Sequence, residues 1–142
     1  MSSIDATTRE ALAAPTLTRM TDIVMPEQLN HRGTMFGGVA LSMMDRAAFV
    51  AATRHSRQTV VTVGVNDVDY VAPVGLGEIV EIVAEIISTG RTSMKIRVTM
   101  VAEVLVTGER RLCGTGSFTF VAIGPNDRPV AVPQVTADPS AG

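Results

Sequence analysis

The stretch Asn30-His31-Arg32-Gly33-Thr34-Met35-Phe36-Gly37-Gly38 is the part of this 142-residue sequence best suited to chemistry. Three glycines within six residues cost backbone entropy, so something should require them. A Gly-Gly pair at a helix N-terminus leaves unobstructed N–H groups pointing outward, with the positive end of the helix dipole behind them. That arrangement suits an oxygen that becomes negative during a reaction. A tight turn before a helix would use the same residues equally well. A carboxylate, Asp45, follows among Met43, Met44, Ala47 and Ala48. An acid in such surroundings is solvated, paired with an arginine, or held for acid–base or nucleophilic work. From the helix alone, an ion pair with Arg46 at a solvent-facing edge is the simpler reading.

Other chemistries find little support. There is no Gly-x-Ser-x-Gly elbow; Gly116-Ser117-Phe118 falls in a strand pattern and lacks the second glycine. Walker and Gly-x-Gly-x-x-Gly loops are absent. The two histidines, His31 and His55, lack metal-ligand spacing. His55, near the helix end, is expected to interact with the helix C-terminus. The one cysteine, Cys113, sits in an alternating strand and reads as inert; it also excludes an internal disulfide.

Several elements must position these groups. Residues 1–15 read as a loose N-terminal tail, and 125–142, rich in Pro, Gly and Ala, as a C-terminal one. One domain, 16–124, lies between. Residues 17–25 read as a strand stopped by Pro26, and 26–35 as a loop. Residues 36–54 contain no proline and are rich in Ala, Leu and Met, which predicts one long helix. It is apolar nearly all round and should be buried on most sides. Residues 60–65 are β-branched, and 69–73 continue extended. Residues 78–88 alternate, with Gly90-Arg91 turning the chain. Met94, Ile96, Val98, Met100, Ala102 and Val104 then mark one face of a clean strand. Residues 112–123 form the last strand. Short turns predict antiparallel neighbours, and the long helix needs a cover. The expected fold is α+β, a central helix wrapped by a curved antiparallel sheet of about five strands.

Composition narrows the class. Apolar residues make up 46% and charged residues 18%, enough for a packed core and too little charge for a disordered chain. The net charge of −2, one tyrosine and no tryptophan argue against nucleic acid and an anionic membrane as partners. Eleven of the twelve basic residues are arginine, with Lys95 the lone lysine. Arginine suits phosphate, though genome composition produces the same bias. No stretch reads as a transmembrane helix or a secretory signal, so a soluble cytoplasmic domain is the expectation.

Asn30-x-x-Gly33-x-x-Phe36-Gly37-Gly38 followed by Met44-Asp45 resembles the signature of the hotdog-fold acyl-CoA thioesterases, in their short, single-domain acyl-CoA hydrolase branch. Further matches are residues 59–63, Val71-Ala72-Pro73-Val74-Gly75 and Gly90-Arg91-Thr92-Ser93. The likeness spans about residues 17–123. It implies hydrolysis of acyl-CoA to the free acid and coenzyme A, with no cofactor, coenzyme A being part of the substrate. Asp45 then matches the catalytic carboxylate, as general base or nucleophile. Asn30 matches the loop amide that positions water or polarises the substrate, and Gly37 and Gly38 match the oxyanion turn. The resemblance also implies a homodimer with each site built from both subunits, and a trimer of dimers above it. Arg91, Thr92 and Ser93 match the turn near coenzyme A; by itself Arg91 also reads as a solvated turn residue. His31-Arg32 departs from the small or Ala-Asn pair common in the family. It adds bulk and positive charge near the mouth, where His31 is expected to bind the nucleotide end or shape acyl choice.

Two rival functions use the same fold: an acyl-CoA hydratase or dehydratase, and a non-catalytic acyl-CoA binding module. The first pairs its carboxylate with a histidine, which the predicted helix lacks. Retention of Asn30 together with Asp45 argues against the second. Met43, Met44 and Phe49 are candidates for lining an acyl pocket, although residues at such spacing are more often core.

Overall fold

The computed structural model describes residues 4–15 and 17–135. Five strands form one antiparallel sheet: β1 (Thr18–Ile23), β2 (Thr59–Tyr70), β3 (Ile79–Thr89), β4 (Ser93–Glu103) and β5 (Arg110–Ile123), in the order β1-β3-β4-β5-β2. A short helix, α1 (Ala6–Leu12), lies within the segment expected to be a loose tail; Asp5 caps it and none of its residues is buried. The long helix α2 (Gly37–Ser56) lies against one face of the sheet.

Why the helix sits there follows from residue size. Its inward side is Ala40, Met44, Ala47, Ala48, Ala51 and Ala52, all buried. A row of alanines lets the helix axis approach the sheet closely. The facing residues come from strand alternation: Val80, Ile82 and Ala84 on β3, Met94 to Ala102 at every second position on β4, and Phe118, Phe120 and Ala122 on β5. A Cβ at Gly116 would meet Met44 Cε at 3.0 Å. Glycine there therefore makes room for the residue beside Asp45.

Two expectations need correction. The helix is not covered on most sides within one chain, since Gly38, Ser42, Arg46 and Phe49 form an exposed stripe. Nor are β2 and β3 neighbours. Residues 71–78 cross the end of the sheet, because β3 already has β1 and β4 on its two edges and β2 pairs with β5 instead. Arg111 of β5 fixes this crossover. Its Nη2 donates to Pro73 O at 2.7 Å, and its guanidinium grips both oxygens of Glu78 at 2.6 Å. This fork-like bond from Arg111 holds the Glu78 carboxyl below the usual carboxylate range.

The C-terminal segment also differs from a simple tail. Val132 is buried, and residues 128–135 run back over the β3–β4 turn. Residues 136–142 lie outside the described part. Cys113 is buried, and burial pushes its thiol up, in keeping with an inert core residue. No helix of the described residues is long and apolar enough to cross a membrane.

Candidate active site

Asn30 organises its own loop. Its Oδ1 accepts from the Arg32 N–H at 2.9 Å, the Thr34 N–H at 3.2 Å and the Thr34 hydroxyl at 3.3 Å. Its own N–H donates to Thr34 O at 2.7 Å. The carboxamide oxygen is thus spent inside the turn, while Nδ2 has no partner among the described residues. The side chain is therefore presented as a donor. Gly33 has a φ of +77°, a left-handed value that a β-carbon would strain. Thr34 bridges to Gly75 and Met35 bonds Val74 O, so the loop is fastened to the 71–78 crossover.

The loop leads into the first turn of α2. Both the Val39 and Ala40 N–H groups reach Phe36 O at 3.1 Å, whereas those of Gly37 and Gly38 have no partner among the described residues. Two free N–H groups at the positive end of a twenty-residue helix form a ready site for an oxyanion. The two glycines are needed differently. A Cβ at Gly37 would press on the Tyr70 ring at 3.3 Å, where the Tyr70 hydroxyl donates to Gly37 O at 2.7 Å. At Gly38 a Cβ would meet nothing within 4 Å.

Asp45 lies two turns further along, half-buried on the edge of the exposed stripe. It does not pair with Arg46. Its Oδ1 instead accepts a hydrogen bond from the Thr62 hydroxyl of β2 at 2.9 Å, and Oδ2 has no partner among the described residues. A β-bulge follows directly, since Thr62 pairs Phe120 and Gly64 pairs Thr119, with Val63 extra. Bulges re-aim side chains at functional edges. Thr62 and Tyr70 are the site residues that sequence reasoning missed. The signal was thin, a β-branched run for one and the sole tyrosine at a strand end for the other.

Distance along the helix separates these groups. Asp45 stands ~11 Å along α2 from the Gly37 and Gly38 N–H groups. No single carbonyl could touch both within one chain. Arg91, Thr92 and Ser93 lie at the opposite end of the helix, ~30 Å from Asn30. They form the β3–β4 turn, which the C-terminal segment links to His55. Arg91 is exposed and forms no ion pair among the described residues. His31 is exposed beside Asn30, at the other end from Arg91.

The observed helix includes His55, contrary to the shorter predicted one. His55 lies in the last turn of α2, as expected, and its Nε2 also meets Pro133 O at 2.7 Å. Ten residues, ~15 Å of helix, part it from Asp45, so the pair cannot work together within one chain.

A cavity of about 340 Å³ opens beside Gly37, lined by Met35, Ala40, Tyr70, Ala72, Val74 and Met100 among others. Met44 is wholly buried in the core and Phe49 is about half exposed on the helix stripe, so neither lines it. Among the described residues no group of three His, Cys, Asp or Glu could hold a metal ion.

Comparison with known proteins places this architecture. Residues 32–109 match the model of the thioesterase superfamily. The uncharacterized acyl-CoA thioester hydrolase YkhA of Bacillus subtilis is 37% identical over 118 residues, covering 83% of this chain and 69% of its own. A hexameric acyl-CoA thioesterase superposes with a TM-score of 0.84 at 35% identity, over 89% of this chain and 81% of its own. An acyl-CoA hydrolase from Staphylococcus aureus, solved with butyryl coenzyme A and coenzyme A, gives 0.81 at 30% identity, over 85% and 74%. That enzyme has also been solved with an asparagine, an aspartate or a threonine replaced by alanine. Those three stand at the same separations, fifteen and seventeen positions, as Asn30, Asp45 and Thr62.

This chain belongs to the thioesterase superfamily. Within it, the chain has the hotdog fold of the acyl-CoA hydrolases, one long helix against a five-stranded antiparallel sheet.

Proposed function

We propose that this protein hydrolyses acyl-CoA thioesters to a free acid and coenzyme A, at sites each built from two copies of the chain. The observation that carries the reading is the pairing of a hydroxyl-anchored helix carboxylate, Asp45, with free N–H groups at the start of the same helix. A thioester needs little more. Its carbonyl is electrophilic and thiolate leaves readily, so no activated serine is required.

In the general-base route, Asp45 Oδ2 takes a proton from water as the water oxygen bonds to the thioester carbon. The carbonyl oxygen becomes an oxyanion, held by the N–H groups of Gly37 and Gly38 with the Asn30 Nδ2 as a further donor. Collapse breaks the carbon–sulfur bond, and the thiolate of coenzyme A leaves and is protonated. In the nucleophilic route Oδ2 itself bonds to the thioester carbon, the carbon–sulfur bond breaks as the thiolate of coenzyme A leaves, and water then cleaves the mixed anhydride to the acid and the free Asp45 carboxylate. After a single turnover in ¹⁸O-water, label in the Asp45 carboxyl group marks an anhydride opened at that carboxyl carbon; label in the released acid alone fits water attack on the acyl carbon in either route.

The second copy answers the ~11 Å separation along the helix. Among the described residues the outer edge of β2 is unpaired over twelve residues, and Val61, Val63 and Val65 are 39%, 58% and 42% exposed there. Such an edge pairs readily with its own twin. Two antiparallel helices would then set the Asn30 end of one chain against Asp45 of the other. The same reversal brings the Arg91 turn of one chain toward the Asn30 end of its partner. The acyl group fits the apolar cavity beside Gly37, and Arg91, Thr92, Ser93 and His31 fit the nucleotide end. A trimer of dimers is the higher assembly we assign, and no resident cofactor enters the reaction.

The test is release of free thiol from a panel of acyl-CoA esters of different chain length. Thiol release supports the reading. Loss of enoyl absorbance without thiol release would favour a hydratase, and tight binding with neither would favour a binding module.

A further inference from the structure

We propose that the C-terminal segment is a clasp that positions the Arg91 turn for the nucleotide end of the substrate, with Gln134 as its positioning residue. This rests on the acyl-CoA reading above. The observations are independent of it. Gln134 Nε2 donates to Gly90 O at 2.9 Å, and the Thr89 hydroxyl donates to Gln134 Oε1 at 3.1 Å. The Val135 N–H returns to Thr89 Oγ1 at 3.1 Å, and the Val132 N–H reaches Arg91 O at 2.9 Å. Thr89, Gly90 and Arg91 are thus all held by the segment.

The clasp is in turn anchored to the body of the protein. Val132 is buried, Gln58 Nε2 donates to Ala131 O at 2.9 Å, and His55 Nε2 meets Pro133 O at 2.7 Å. A two-stranded turn needs no such support to reverse the chain, because the Gly90 N–H to Ser93 O bond at 3.0 Å already closes it. What the added bonds fix is the backbone from which the Arg91 side chain projects. That side chain is exposed and makes no ion pair among the described residues. A guanidinium on a fixed backbone loses less freedom when it closes on a phosphate, so its affinity for an anion rises. Gln134 touches neither the scissile bond nor the phosphate in this scheme; it acts through Arg91.

The experiment compares an acyl-CoA with the matching acyl-pantetheine thioester, which carries the same reacting group and no nucleotide. For Gln134→Ala we expect KM for acyl-CoA to rise about tenfold with kcat within about twofold, the scale of a lost hydrogen-bond pair. The constants for acyl-pantetheine should stay as in the wild type. Thr89→Val, which removes one hydroxyl at nearly constant volume, should show the same split and covers the case in which the first variant folds poorly. Equal losses on both substrates would overturn the proposal, as would unchanged constants on both. Wild-type protein that cleaves the two thioesters equally well would also overturn it. Wild-type protein that cleaves neither would instead reject the hydrolase reading on which it rests.

Discussion

The Thr62 hydroxyl donates to Asp45 Oδ1 at 2.9 Å, joining the middle of the long helix to the outermost strand of the sheet. The bond occupies one carboxylate oxygen and fixes the rotation of the group, so the free oxygen points in one direction. Removing that donor while keeping its volume isolates the effect. Thr62→Val should lower kcat about ten- to a hundredfold with KM little changed, as expected for a charge-assisted hydrogen bond that orients a reacting group. Steady-state kinetics on one acyl-CoA decide it, and an unaltered kcat would remove Thr62 from the site.

Asp45→Asn keeps the shape and the capacity to accept from Thr62 but cannot take a proton or form an anhydride. We expect kcat to fall by about 10²- to 10⁴-fold, the range assigned to general-base groups. Thermal unfolding and molecular mass should match the wild type. Near-normal turnover would reject Asp45 as the reacting group.

Mixing two inactive proteins tests whether sites are shared. Asn30→Ala and Asp45→Asn should each be nearly dead alone. Co-refolded in equal amounts they should recover about a quarter of wild-type activity, because half of randomly formed dimers pair unlike chains and each then carries one intact site of two. No recovery would mean that both residues serve from one chain.

The two helix-start glycines should separate in their response. Gly37→Ala drives a Cβ against the Tyr70 ring at 3.3 Å and should cost about 1–3 kcal/mol of stability. Gly38→Ala meets open space in the single chain and should leave the melting temperature unchanged or slightly raised. If Gly38→Ala nonetheless lowers turnover, the empty volume is used by substrate or by the second copy.

The Glu78–Arg111 pair gives a pH signature. Arg111 holds the Glu78 carboxyl below its usual range in the folded state. A carboxylate depressed in this way stabilises the fold fully above its unfolded value, and that contribution is lost as pH falls through the lower, folded one. Urea midpoints measured from pH 6 downward should therefore drop below about pH 4.5. Glu78→Gln should start lower at neutral pH and lose less on acidification; parallel curves would refute the assignment.

Most of the fold was legible because its periodicities are strong. The Ala- and Met-rich run predicts α2, and the alternation from Met94 to Ala102 matches β4 residue by residue. Asp45 and Asn30 stood out because a carboxylate among methionines and a glycine-rich loop both need a reason. Strand order was not legible, since local patterns say which residues extend but not which edges are free. The 71–78 crossover is settled by Arg111, which lies 38 positions from Pro73 and 33 from Glu78, the two residues it fastens. Thr62 was hidden for the same reason. A threonine in a β-branched run looks like any strand residue until the helix is laid across it. The C-terminal segment carries few periodic residues, and its attachment depends on hydrogen bonds of Gln134, Gln58 and His55 with groups distant in sequence.

Strand β2 finds its ladder partner in β5, the last strand to be synthesised. On a ribosome, the segment bearing Thr62 would wait beside a nascent helix with no neighbour to hold it. Asp45 would therefore gain its anchoring hydroxyl only once β5 has emerged, half a chain after the carboxylate itself.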